Sequence, residues 1–436
     1  MNMENICACG KEHKSDIKKL IVGAGAVKAL PDELKALGCK RAFLLADVNT
    51  YKAAGETVTA LLEAGDVLYS KYVFPQEHLE PDEWAVGSAV MHFDRRCDTV
   101  VAVGSGVVGD VAKILANTAG AAYLIVATAP SMDGYASATS SMAMDGVKVT
   151  LPSKCADVVI GDTDILKNAP MEMLISGLGD MIAKYISICE WRIANIITGE
   201  YYCEKIADMV REALKSCVEN ADKLLLRDGE AVEAVFRGLV LAGQAMAYAG
   251  CSRPASGIEH YFSHVWDMRA LEFGESASTH GIQCAIATLM SARLYERIKQ
   301  LTPDVDAAKV YAESFDYSSW SNELSAFLGK GADAMIALEA KEGKYSVEKH
   351  SARIEVIASH WDEIIGVINE EIPDSARIEE LLLRIGCPTS PAEIGIDAYT
   401  LPTTFKATKD IRDKYVLSRL AFDLGVIDEL SNKIIK

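Results

Sequence analysis

The stretch DTVVAVGSGVVGDVAKILANTAG, residues 98–120, decides the fold. Its apolar run ends in Gly104-Ser-Gly106-Val107-Val108-Gly109-Asp110, and helical periodicity takes over at once. A buried strand, a glycine turn and a helix in that order are the repeating unit of a parallel sheet. Five more short apolar runs surround it: KKLIVGAG, RAFLLAD, VLYSKYVF, AAYLIVATAP and ADVVIGD. Six strands separated by helices predict a doubly wound parallel sheet. Beyond residue 165 the strand signals nearly vanish, and long helical stretches such as AVEAVFRGLVLAGQAMAYAG follow. The expected class is α/β plus all-α, with a sheet domain over 1–167, a helical domain over 168–436 and a hinge near Asn168-Ala169-Pro170.

A chain of 436 residues, half of them hydrophobic, supports two cores. The formal charge of -18 speaks against nucleic acid or an anionic membrane as partner, because those surfaces attract basic patches. A small anionic substrate remains compatible if its pocket is locally basic. No apolar run is long enough to span a bilayer, and MNMENICACGKEHK lacks an apolar signal core, so a cytoplasmic location without membrane insertion is expected. Eleven cysteines, scattered singly through apolar segments, read as reduced thiols. Cys7-Ala-Cys9 with His13 nearby stands apart: it resembles part of a metal site but offers three ligands where a closed zinc site has four.

Two glycine clusters compete for a nucleotide. Gly23-Ala-Gly25-Ala-Val-Lys28 begins like the dinucleotide fingerprint but carries Lys where a small residue must let helix approach strand. The cluster Gly104, Gly106, Val107, Val108, Gly109, Asp110 satisfies the spacing and opens a helix, whose N-terminal N–H groups favour a pyrophosphate. Asp110 suits that role only if it points away from the phosphate. Asp47 ends the strand RAFLLAD, where a carboxylate can take an adenosine ribose and disfavour NADP; a plain helix cap reads equally well. Thr128-Ala129-Pro130-Ser131, Asp133 and Ser137 follow the strand AAYLIVA at the carboxyl edge, where open α/β sheets bind ligands.

Eight histidines occur, and His260, His264 and His280 are clustered. His260 and His264 share a helix face, and His280 opens another predicted helix. Asp180 in SGLGDMIAKY is the best carboxylate for a divalent cation, the competing reading being an N-cap at the start of an apolar helix. Two imidazoles and a carboxylate suit zinc, nickel or ferrous iron. Arg253 in CSRPASG is the candidate cation for a substrate phosphate, with Lys184 second; a helix-end salt bridge is the alternative for Arg253.

The segments CACGKEH, GSGVVGD, TAPSMDGYAS, SGLGDMIAKY, SRPASGIEHYFSHVWDM, STHGIQCAIATL and IRDKYVLSRLAFDLGVID resemble those of the sn-glycerol-1-phosphate dehydrogenases, within the superfamily of iron-type alcohol dehydrogenases and dehydroquinate synthase. The resemblance implies a Rossmann-like domain, an all-helical metal- and substrate-binding domain, and a homodimer. It implies reduction of dihydroxyacetone phosphate by NAD or NADP in reduced form, NAD being favoured, with one nickel or zinc ion, or iron. By motif, Asp180, His260 and His280 would bind metal, and His264 and Asp133 would contact substrate. Asp47, Gly106 to Asp110, Thr128 to Ser131 and Ser137 would line the cofactor. The alternatives are a related polyol dehydrogenase, a dehydroquinate synthase-like enzyme and a non-catalytic binding partner. The loop reads GSG where relatives read GGG, and residues 300 to 375 are longer than a minimal member needs.

Overall fold

The computed structural model describes residues 7–145, 147–274 and 278–434. The chain forms two units. The first takes in the described residues up to Asp145 with Val149–Met181 and Asp208–Ser252; the second holds Val147, Lys148, Ile182–Ala207 and the chain from Arg253 onward.

The first unit is built on the six predicted strands: β1 (Lys19–Gly23), β2 (Arg41–Asp47), β3 (Leu68–Phe74), β4 (Thr99–Gly104), β5 (Ala122–Ala127) and, beyond the short pair β6 (Thr139–Met144) and β7 (Val147–Pro152), β8 (Val158–Asp162). They form one sheet in the order β1-β8-β5-β4-β2-β3, with all five neighbouring pairs parallel. Sheets covered on both faces read as unbroken apolar runs, and β4 is buried at every residue. Leu44, Val101, Val103, Leu124 and Ile160 form one core with Leu30, Leu34, Val58 and Leu62 from the helices Leu30–Ala36 and Glu56–Ala64. On the other face Gly109, in the helix Gly106–Ala119, leaves just enough room for Ile125: a Cβ there would meet its Cδ1 at 3.4 Å. Gly161 of β8 lies under Phe236 from the helix Gly229–Ala249, where a Cβ would come within 2.1 Å of the ring.

The strand order reverses between β2 and β4, which is where open parallel sheets bind ligands at their carboxyl ends. Leu45 pairs with Ala102, so Asp47 and Gly104, two residues further on, end side by side at that switch point.

The second unit is helical apart from a few residues. Its helices Lys184–Thr198, Ile258–Phe273, His280–Ile298 and Leu417–Asp423 are tied together by one buried carboxylate. Glu190 accepts the N–H of Ile258 at 2.8 Å and that of Leu417 at 2.7 Å, the first residues of two helices, and the Tyr295 hydroxyl at 3.2 Å. Helix N-termini carry unsatisfied N–H donors, and the Glu190 carboxyl oxygens accept one from each. Segment 300–375 folds as further helices, among them Val305–Glu313, Tyr317–Leu328 and Val347–Ser359. Among the described residues, no helix is long and apolar enough to cross a membrane.

Candidate functional site

In the sheet unit, the turn after β4 is held by hydroxyls. Ser105 Oγ lies 2.6 Å from Ser131 Oγ and accepts from the Tyr135 hydroxyl at 3.1 Å; the Thr128 N–H donates to the Gly104 carbonyl at 3.1 Å. A Cβ on Gly104 would sit 2.5 Å from Val108 Cβ, so glycine is required where strand turns into helix. Asp110 points away from the helix N-terminus: its Oδ1 takes Lys113 Nζ at 3.0 Å and its Oδ2 takes the Ser141 N–H at 3.2 Å. Val107 is partly exposed and Val108 buried.

Asp47 caps the turn that follows β2, its Oδ1 accepting the N–H groups of Asn49 and Thr50, both at 2.8 Å. The other glycine cluster is filled from within. Asp162 accepts N–H groups of Gly25 at 3.1 Å, Val27 at 3.0 Å and Asp164 at 2.9 Å, the donors an incoming phosphate would need.

The loop from Thr128 to Ser137 is clamped by two glycines. Gly177 meets the Pro130 carbonyl, and a Cβ on Gly243 would stand 2.8 Å from both the Asp133 carbonyl oxygen and Ala136 Cβ. Ala129 and Pro130 are buried, and Ser137 bonds within the loop to Thr139. Asp180 lies near the end of the helix Met171–Ile182, not at its start. The N-cap alternative for Asp180 is thus overturned: Gly177 and Gly179 sit inside a helix, tolerated there because Gly177 needs to lie flat on Pro130. Asp180 has no exposed surface, and its Oδ2 accepts the Asp133 N–H at 2.9 Å.

In the helical unit the three histidines converge. The rings of His260 and His280 lie 5.0 Å apart edge to face, and those of His264 and His280 lie 6.2 Å apart, nearly parallel. Their tautomers follow from the partners. His260 Nδ1 is 2.8 Å from Glu259 Oε1, an acceptor, which puts the proton on Nδ1 and the lone pair on Nε2. His280 Nδ1 is 2.9 Å from Ser263 Oγ, whose own proton goes to Gln283 Oε1 at 2.6 Å; Gln283 Nε2 in turn donates to Asp267 Oδ1 at 3.0 Å. This chain, anchored on a carboxylate, fixes the amide, then the hydroxyl, then the imidazole. Both histidines thus present Nε2 as the lone-pair nitrogen, the arrangement that second partners impose on ligating histidines. Cys284 Sγ stands 3.7 Å from His280 Nε2.

Loss of water pushes the His264 imidazole well below the usual histidine range, and the charges of Lys148 and Arg412 add to the shift. His264 is therefore neutral near pH 7. Arg253 is almost fully buried and grips Glu200 with two nitrogens, at 2.7 and 2.5 Å, while its third donates to the Tyr415 carbonyl at 2.8 Å. Lys184 is buried as well, donating to the Ala255 carbonyl at 3.0 Å.

The residues that sequence reading passed over are Glu259, Ser263, Gln283, Lys148 and Arg412. Glu259 and Ser263 flank the histidines in motifs already quoted, and polar residues on a buried helix face beside ligand candidates were the available signal. Arg412 stands in the quoted segment IRDKYVLSRLAFDLGVID, where nothing marked it out from its neighbours, and Lys148 carried no signal.

Residues 21–170 match the family model described as iron-containing alcohol dehydrogenase. A glycerol-1-phosphate dehydrogenase of Methanosarcina mazei is 31% identical over 64% of this chain and 76% of its own. The chain belongs to the glycerol-1-phosphate dehydrogenase family. As a member it is an NAD(P)-dependent dehydrogenase. The glycerol-1-phosphate dehydrogenase of Halalkalibacterium halodurans is 28% identical over 89% of this chain and 88% of its own. Among solved structures, a probable glycerol dehydrogenase from Sinorhizobium meliloti shares the fold with a TM-score of 0.58, 20% identity, and coverage of 96% and 98%.

Proposed function

We propose that this dehydrogenase reduces dihydroxyacetone phosphate to sn-glycerol 1-phosphate, with Asp180, His260 and His280 holding one divalent metal ion. The observation that carries this reading is the pair of Nδ1 contacts, His260 with Glu259 Oε1 and His280 with Ser263 Oγ, since a neutral imidazole ligates through its lone pair and a partner that takes the Nδ1 proton puts that lone pair on Nε2. Asp180, deprived of solvent in its own helix, supplies the anionic donor that two imidazoles need in a catalytic site. The metal, nickel, zinc or iron by donor chemistry, would polarise the ketone and stabilise charge on its oxygen as hydride arrives.

The turn Gly104 to Asp110, with Thr128 to Ser131 and Ser137, is the proposed cofactor cradle, and Asp47 at the switch point favours NAD over NADP. A bound nicotinamide would supply hydride for the ketone carbon, and a proton must reach the oxygen. His264, neutral at pH 7, suits a relay that passes a proton on without storing one, and Asp133 completes the substrate's polar contacts. For the phosphate, Arg253 would have to release Glu200 and Lys148 would have to release Asp267; Arg412, whose charge acts on His264, is the assignment tested below. A homodimer is expected.

The test is NADH oxidation by protein stripped with chelator and refilled with nickel, zinc or ferrous iron. Dihydroxyacetone phosphate should be turned over far more efficiently than dihydroxyacetone, and only by refilled protein. Full activity without metal, or equal kcat/KM for both ketones, would refute the reading.

A further inference from the structure

The dehydrogenase reading leaves Cys7, Cys9 and His13 unused, and their side chains meet. Both sulfurs and an imidazole nitrogen lie within 4.8 Å of one another. Cys9 Sγ is 3.4 Å from His13 Nε2. A tetrahedral zinc ion with its usual Zn–S and Zn–N bond lengths holds a sulfur and a nitrogen about 3.6 Å apart, so this pair already stands close to the spacing of two corners of such a site.

The backbone is shaped for it. The Gly10 N–H donates to the Cys7 carbonyl at 2.8 Å, and the Cys7 N–H donates to the Lys11 carbonyl at 3.0 Å. Gly10 closes this turn in the left-handed region, φ 82°, where a side chain would be strained. His13 is fully buried, and its Nδ1 lies 3.2 Å from the Tyr248 carbonyl oxygen, near the end of the helix Gly229–Ala249. A carbonyl can only accept, so Nδ1 carries the proton and Nε2, which faces Cys9, carries the lone pair. The tautomer is the one a ligating histidine needs.

We propose that Cys7, Cys9 and His13 supply three of the four ligands of a second metal ion, a zinc ion by the softness of the donors, separate from the catalytic one. Binding releases the two thiol protons and fastens the segment around Cys7 to the helix end at Tyr248. The role is structural: no group of the proposed reaction centre takes part.

Elemental analysis of the full-length protein, purified without added metal, tests this. Protein carrying Asp180→Ala with His280→Ala should keep roughly one zinc per chain, and adding Cys7→Ser and Cys9→Ser should remove it. A spectroscopic arm does not depend on how those variants fold. In otherwise intact protein carrying Cys284→Ala, which removes the thiol beside His280, cobalt in place of zinc should give thiolate-to-cobalt charge-transfer absorption. A cobalt spectrum with no thiolate band, or no zinc left once the catalytic ligands are gone, overturns the proposal. So does a zinc content that is unchanged when both cysteines are replaced.

Discussion

Gly177 lies so close beneath Pro130 that a Cβ on it would stand 1.7 Å from the Pro130 carbonyl oxygen. Next to it, Ser176 Oγ donates to the Ser131 carbonyl at 3.0 Å. These two contacts press the loop after β5 onto the helix that carries Asp180, and they set the distance at which the Asp133 N–H reaches the carboxylate. Gly177→Ala must push loop and helix apart. The expected cost is about 3 kcal/mol, at the upper end for an overpacked site, with a raised KM for NADH because the displaced loop is the proposed cofactor cradle. Thermal unfolding and steady-state kinetics check it; wild-type values of both would show that the clamp does not matter.

The hydroxyl of Ser263 links His280 to the Gln283–Asp267 pair in the relay described above. In Ser263→Ala the imidazole loses the acceptor that fixes its tautomer, so Nε2 is no longer reliably the lone-pair nitrogen. Removing such a second partner typically weakens metal binding roughly 10- to 100-fold. Competition with a chromophoric chelator measures this directly, and circular dichroism should stay unchanged. Undiminished affinity would mean that His280 does not bind through Nε2.

The sheet was legible because parallel strands covered on both faces write unbroken apolar runs into the sequence, and RAFLLAD and TVVAVG are buried at nearly every position. Asp110 and the cluster at Gly23 were also readable, one by its conflict with a phosphate and the other by Lys28. The place of Asp180 was not. Two glycines before an Asp look like a helix start, and only the fold reveals that Gly177 is there for the Pro130 carbonyl. Arg253 illustrates the same limit: an arginine that meets a substrate phosphate and one locked to Glu200 have identical letters. Relays such as Asp267–Gln283–Ser263–His280 join two helices, and no local pattern encodes which hydroxyl meets which ring.

Arg253 and Arg412 separate by substrate. Arg253→Ala strands Glu200 and the Tyr415 carbonyl, costing about 2 kcal/mol of stability, less than a fully buried pair because the Glu200 side chain is 33% exposed. Its KM for dihydroxyacetone phosphate should change little. Arg412→Ala should raise that KM about 10-fold, the loss of one charge-assisted contact to phosphate, and leave the KM for dihydroxyacetone unaltered. A selective rise in Arg253→Ala instead would return the phosphate to Arg253.

Glu190 gives the helical unit a pH dependence of definite sign. Burial, with the charge of Glu259 beside it, pushes its carboxyl up from the ordinary 4.5 to about 8. Between those values the folded chain holds a proton that the unfolded chain has released. Raising the pH across that window therefore favours unfolding, by at most about 1.4 kcal/mol per pH unit for one group. Below the window both states are protonated and the penalty is absent; above about pH 8 it is fully present. In Glu190→Gln the amide cannot ionise. It can accept from Leu417 but turns a donor toward the Ile258 N–H or loses the reverse pairing, so the variant should be less stable at low pH and flatter across the window. Urea midpoints at several pH values compare the two slopes. Parallel curves for variant and wild type would place the proton elsewhere.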